Sequence, residues 1–252
     1  MDRKYLLKPD NPDLRDYFYR SHTLKSLKEL PKAIDLRNKM SPIVDQGPLG
    51  SCTANAIVSG LREYLEIKAG QDLVRLSRLF LYYEERRLEN TIHEDSGASL
   101  RDGMKVLAQI GVCPEEDYPY DITRFTEAPS PVATAHAAQY RINEYHRIVD
   151  LKSLKVALSE GLPVVFGFQV YQSFESEQVV KTGKIPMPKK DEKILGGHAV
   201  LAVGYSDQGK GGDLSGNLFV RNSWGKEWGD QGYCYMSYKV FNKLVMDMWT
   251  GH

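Results

Sequence analysis

The sequence predicts an α+β fold built as two lobes, a helical lobe followed by a sheet-rich one. Three observations carry that reading. Apolar residues Ile57, Leu61, Tyr64 and Leu65 recur at helical spacing in the first half. Apolar runs such as Pro163-Val164-Val165-Phe166-Gly167-Phe168, bounded by Gly, Asp and Ser, crowd the second half. Between them Thr126 to Ala138 is rich in Ala and Pro, and the composition changes after it, which places the lobe boundary near Gln139. With 252 residues, 42% hydrophobic and 26% charged, the chain is long enough to bury a sizeable core as one compact unit.

The elements follow in chain order. Residues 1 to about 30 are polar and charged, and Pro9 and Pro12 disfavour a helix there. Cys52, preceded by Gly50 and Ser51, opens a helix that runs until Gly70. A second helix spans Ser77 through Leu88. A third is capped by Ser99, with Leu100, Met104 and Leu107 inward, and stops before Gly111. Past the boundary come a short helix from Asp150 to Glu160 and strands over Pro163–Phe168, His198–Tyr205, Asn217–Val220 and Tyr233–Tyr238. The polar stretch between Tyr171 and Gly197, with Lys189-Lys190-Asp191-Glu192-Lys193, reads as a solvated loop. No internal repeat or long low-complexity tract interrupts the chain.

Charge and cysteine content narrow the function classes. Thirty-three Lys and Arg balance 33 Asp and Glu, so there is no overall field to recruit nucleic acid or acidic lipid. The first ten residues lack the apolar core of a signal peptide, and no stretch approaches the roughly 20 apolar residues of a membrane span. The expected setting is therefore cytoplasmic, with neither nucleic acid nor membrane as partner. Only Cys52, Cys113 and Cys234 occur, which rules out a disulfide framework, and no paired Cys or His spacing supports a metal site. Cys113 and Cys234 read as small buried apolar residues with reduced thiols.

Three short segments carry chemistry: Gln46-Gly47-Pro48-Leu49-Gly50-Ser51-Cys52, Gly197-His198-Ala199-Val200 and Arg221-Asn222-Ser223-Trp224-Gly225. A thiol attacks as its thiolate, and an imidazole can take its proton, so Cys52 is the candidate nucleophile and His198 the candidate base. A side-chain amide oxygen can fix which ring nitrogen faces the sulfur, the role open to Asn222. Charge developing on a carbonyl oxygen needs fixed donors, for which Gln46 and the backbone N–H of Cys52 are placed. At a helix start, Cys52 is expected to have its thiol pKa lowered by the unsatisfied N–H groups and the positive helix end.

These segments resemble those of the papain family of cysteine peptidases. The likeness runs from about Leu30 to about Tyr238 and includes Leu30-Pro31-Lys32-Ala33-Ile34-Asp35-Leu36-Arg37, Tyr118-Pro119-Tyr120, the run from His198 to Tyr205 and that from Asn222 to Gly229. His198 follows Cys52 at the roughly 130 to 150 positions the family uses. Asn222 stands farther along, after a Gly-rich stretch. The resemblance implies a two-lobed fold, with a helical lobe over about 48–138 and an antiparallel β-barrel-like lobe over about 139–238, terminal segments crossing between them. The site would lie in the cleft, within a catalytic domain of residues 31–252.

It further implies hydrolysis of peptide or protein substrates without a cofactor, and leaves oligomeric state open. Gly97, Ala98, Ser99, Gly197, Ala199 and Trp224 would line the substrate cleft, the small side chains of the first five leaving room for a bulky apolar group. Trp224 would shield the His198 to Asn222 contact. Two departures from the family stand out: Thr53 replaces the usual Trp after the nucleophile, and Leu49 replaces a half-cystine common in secreted relatives. His22, His93, His136, His146 and His252 lack a motif and read as surface or core residues. Residues 1–30 resemble the short leader of some bacterial members, either a propeptide covering the cleft or a belt packed on the fold. Alternatives using the same residues are an acyl transferase or amidase, and a catalytically silent peptide-binding module.

Overall fold

The computed structural model describes residues 3–20, 30–208 and 216–252. Met1, Asp2, residues 21–29 with His22, and most of the Gly-rich stretch between His198 and Asn222 lie outside the described residues.

A short strand, β1 (Ala33–Asp35), precedes the helical half. The helix at Cys52 is not uniform. It opens as an α-turn, α1 (Cys52–Ala54), widens to π geometry over Asn55–Arg62 and returns to α-helix in α2 (Glu63–Lys68). Its first eleven residues are all buried, because Ile57, Val58 and Leu61 face the helical core while Gly60 packs against Leu201 of the sheet. The next two helices start where their caps predict. Ser77 accepts from the Phe80 amide at the head of α3 (Arg78–Leu88), and Ser99 accepts from the Asp102 amide at the head of α4 (Leu100–Gln109). Leu100, Met104 and Leu107 are fully buried, as their spacing implies. The Ala and Pro-rich segment holds a further helix, α5 (Pro131–Ala137), with Ser130 as cap and Pro131 in the first turn.

The second half supplies the sheet. β2 (Tyr145–Arg147) leads to α6 (Leu151–Ser159), capped by Asp150, and then to β3 (Val164–Tyr171). The stretch expected as a solvated loop differs: it contains a 3₁₀ turn over Gln172–Glu175 and a helix, α7 (Glu177–Thr182), before the exposed lysines. Phe174 and Val179 are the reason, since both bury into the core of the sheet lobe. β4 (Ile194–Ser206), β5 (Asn217–Arg221) and β6 (Tyr233–Ser237) follow. Tyr238 starts α8 (Tyr238–Leu244) instead of ending a strand, because Ser237 caps it, and β7 (Val245–Gly251) closes the chain.

All strand pairings are antiparallel, in the order β2-β7-β3-β4-β5-β6, with β1 on β4. One apolar core lies among the helices and extends to Val165, Ala199 and Leu201 of the sheet. A second fills the other face with Phe166, Phe168, Val200, Tyr205 and Phe241. The head of α1 thus packs directly on β4, which brings the segments around Cys52 and His198 together. Among the described residues no helix is long and apolar enough to cross a membrane.

Candidate active site

Cys52 begins its helix after the loop Asp45 to Ser51, and that loop is tied down from behind. The Tyr120 hydroxyl donates to Gln46 O at 2.9 Å and meets the Ser51 hydroxyl at 2.5 Å. Asn55 donates to Ser51 O, and Arg78 donates to Asn55 Oδ1 and Asp45 O while its guanidinium lies 3.8 Å from the Tyr120 ring centre. Thr53 donates to Glu85 Oε2 at 2.7 Å. Burial pushes the Glu85 carboxyl well above the ordinary range beneath the first helical turn.

His198 faces this turn from β4, where Phe168 is its partner on β3. Asn222 stands one residue past the end of β5, and its Oδ1 lies 2.8 Å from His198 Nε2. The same oxygen accepts the Ser223 amide, which fixes the side chain as an acceptor toward the imidazole. Trp224 is buried with its ring centre 5.0 Å from that of His198, and Phe168, Phe174 and Tyr5 complete an aromatic wall. His198 Nδ1, the ring nitrogen away from Asn222, is buried without a hydrogen-bond partner. The backbone of Ala199, the next residue, is hydrogen-bonded to the Cys52 sulfur. Gln46 Nε2 donates to Leu49 O, its Oε1 accepts from the Ser223 hydroxyl at 2.7 Å, and its amide donates to Ser223 O. Cys52, His198, Asn222, Gln46 and Trp224 therefore meet at one place.

The cleft beside them is filled by the protein's own N-terminal segment. Tyr5 O accepts from the Gly197 amide and the Leu7 amide donates to Gly197 O, a parallel bridge that extends the sheet edge. The Lys8 amide donates to Ala98 O, and a second parallel bridge joins Lys8 to Ser99. Gly97, at φ +65°, admits the backbone: a Cβ there would stand 1.9 Å from Leu6 O. Leu7 is buried over Gly167, where a Cβ would come within 2.3 Å of its side chain. Gly97, Ala98, Ser99 and Gly197 thus all meet this segment, although the Ser99 hydroxyl is used as a helix cap. Ala199 is fully buried and touches the sulfur.

Burial reverses the electrostatics that the helix start implies. Burial pushes the Cys52 thiol up to about 12, outweighing backbone hydrogen bonds from Ala199 and Thr53, and the Glu85 carboxyl adds to the rise. Burial brings His198 down to about 4 despite the Asn222 hydrogen bond, and the positive charge of Arg3 lowers it further. With the segment in place both groups are neutral near pH 7. The expected lowering of the thiol is overturned here because low polarity around a sealed sulfur outweighs the helix end.

A thiol at a helix head, an imidazole oriented by an amide and a fixed glutamine amide match one family. The model of the papain family cysteine proteases matches residues 30–249. The chain belongs to the papain family. A peptidase C1-like protein of Acanthamoeba polyphaga mimivirus is 42% identical over 88% of this chain and 72% of its own length. Rat procathepsin L is 29% identical over 81% of this chain, which spans 60% of that relative. Among solved structures, xylellain, a cysteine protease from Xylella fastidiosa, is 37% identical with a TM-score of 0.88, covering all of this chain and 97% of its own. This papain-family chain is a hydrolase of the cysteine-peptidase class with the two-lobed α+β fold.

Sequence motifs located Cys52, His198, Asn222 and Gln46 but not the residues that hold them. Ser223 and Tyr120 both lie inside quoted motifs, and only the fold shows that their hydroxyls grip Gln46. Tyr5 and Glu85 carried no local signal. The three cysteines are free. No group of three metal-binding side chains occurs among the described residues.

Proposed function

We propose that this papain-family protein cleaves peptide bonds through a thioester on Cys52, and that its own residues 3–8 keep the cleft closed until displaced. In the open cleft the Cys52 thiolate adds to the substrate carbonyl carbon, and the oxyanion is held by Gln46 Nε2 and the Cys52 amide. The carbon–nitrogen bond breaks as His198 gives its proton to the leaving amine. Water then attacks the thioester, passing a proton to His198 and restoring the thiolate. Asn222 keeps the ring turned throughout.

The single observation that carries this reading is the His198 Nε2 to Asn222 Oδ1 contact of 2.8 Å, with the opposite ring nitrogen buried and unpaired and the backbone of the next residue, Ala199, hydrogen-bonded to the Cys52 sulfur. Closure by the leader is supported by its backbone pairing with Gly197 and by the neutral state it imposes. Removing it readmits water and withdraws the Arg3 charge, which raises the imidazole pKa and lowers that of the thiol. Leu7 in the recess over Gly167 supports a preference for a bulky apolar side chain at that point of the substrate.

The test is hydrolysis of a fluorogenic peptide containing leucine. Cys52→Ala is expected to abolish it with the fold unchanged by circular dichroism, and retained turnover contradicts the mechanism. A peptide library showing strict preference for small residues contradicts the recess assignment.

A further inference from the structure

The leader enters the cleft with three cations, and each meets a separate carboxylate. Arg3 makes a two-point contact with Asp45, at 2.6 and 3.3 Å, and also donates to Gly47 O while lying 5.2 Å from the centre of the Trp224 ring. Lys4 pairs with Asp95 at 2.5 Å. Lys8 pairs with Glu89 and also reaches the Ser96 hydroxyl at 3.4 Å. These acids come from three places in the fold: the loop before the nucleophile, the α3–α4 connection and the end of α3.

Each acid is already fixed by the protein before any cation arrives. Asp45 accepts the Gly47 amide, Glu89 accepts the Ser99 amide, and Asp95 accepts both the Gly50 amide and the Tyr82 hydroxyl. Acceptors held by backbone amides lose little freedom on binding a cation, and with the leader seated the Asp95 and Glu89 side chains are 11% and 12% exposed. The chain as a whole carries no net charge, so this negative track is local to the cleft.

We infer that Asp45, Asp95 and Glu89 select substrates, and that the protein prefers peptides carrying lysine or arginine on either side of a bulky apolar residue. The leader sequence Arg3-Lys4-Tyr5-Leu6-Leu7-Lys8 displays that pattern and meets all three acids where it lies in the cleft. This inference rests on the peptidase reading and adds the substrate class. Charge recognition of this kind weakens with salt, because the Debye length falls from about 10 Å at 0.1 M to about 3 Å at 1 M.

The experiment uses the full chain with its leader neutralised and expelled, Arg3→Gln, Lys4→Gln, Leu7→Glu and Lys8→Gln together. Quenched peptides with a central leucine, flanked by Lys and Arg or by Gln, are compared for kcat/KM. The basic peptides are expected to lead by about tenfold at low salt, each ion pair adding a few-fold, with the gap narrowing at about 0.5 M salt. Asp45→Asn and Glu89→Gln keep an acceptor for the Gly47 and Ser99 amides and are each expected to shrink the ratio a few-fold. Equal rates, or a preference that both substitutions leave intact, overturn the inference and assign the acids to the leader alone. Fluorescence anisotropy of the same peptides, with Cys52→Ala added, separates the two claims. Tighter binding of basic peptides by the Cys52→Ala protein, with no cleavage by its counterpart that keeps Cys52, sustains the charge selection and removes the peptidase mechanism. Cleavage without charge preference does the reverse, and absence of binding overturns the selection.

Discussion

The N-terminal segment has two halves held by different physics. Residues 3–8 lie in the cleft by a backbone ladder to Gly197 and Ala98, one buried leucine and ion pairs at the cleft rim. Residues 10–19 are bound to the outside of the fold by sheltered carboxylates. Asp16 receives Arg101 and Arg147, and Asp10 accepts the Trp249 indole and the Arg101 amide while its own amide donates to Asp247. Burial alone would raise the Asp16 carboxyl, but hydrogen bonds and charge from Arg101 and Arg147 outweigh it and hold it below the usual range. In the proposal made above the first half is a plug, and the second is a belt that stays with the fold. On that proposal, opening the cleft does not require loss of the whole segment.

The largest effect should come from the plug. Leu7→Glu places a carboxylate in the apolar recess over Gly167, and the resulting expulsion is expected to raise peptide hydrolysis by about a hundredfold, since leaving a charge buried costs several kcal/mol. Thermal stability should change little, and a drop in melting temperature with no gain in activity would break the division into plug and belt.

Asp16→Asn should do the opposite. It leaves the Arg101 guanidinium without its acid and Arg147 with Asp247 alone, and is expected to cost about 3 kcal/mol, a melting shift of roughly 5–10 °C. Calorimetry with and without Leu7→Glu reads this, and an unchanged transition shows that the belt is not integral.

A smaller effect is expected at Tyr120, which acts on the site through the loop it holds. Tyr120→Phe removes its hydroxyl contacts with Gln46 O and Ser51, loosening the oxyanion donors, and in the Leu7→Glu background should lower kcat about fivefold while sparing KM. A change in KM alone would make Tyr120 a residue of the cleft wall instead.

The meeting of the segments around Cys52, His198 and Asn222 was legible because each is a short run that resembles the family's. The helices were legible from Ser77 and Ser99 caps and from the inward spacing of Leu100, Met104 and Leu107. β7 escaped because Asp247 interrupts its apolar run, and its burial depends on Arg147 and the Asp10 amide, far away in sequence. The course of Arg3 to Lys8 escaped for a related reason: an extended segment without periodicity is shaped by the edge it pairs with, here Gly197. The thiol pKa followed, since the helix start is local but the cover that seals the sulfur is not.

Labelling of Cys52 by an epoxide-type inhibitor across pH tests the guarded nucleophile most directly. In the unaltered chain the thiol is raised to about 12 and the imidazole lowered to about 4, so labelling should be slow near pH 7 and still climbing at pH 9. With Leu7→Glu the thiol pKa falls and the imidazole pKa rises, and each unit of thiol shift gives about ten times more thiolate, so labelling should become rapid at neutral pH and level off. Equal rates and equal pH profiles for the two proteins would contradict a cleft guarded by residues 3–8, and no labelling of Cys52 in either would contradict its role as nucleophile.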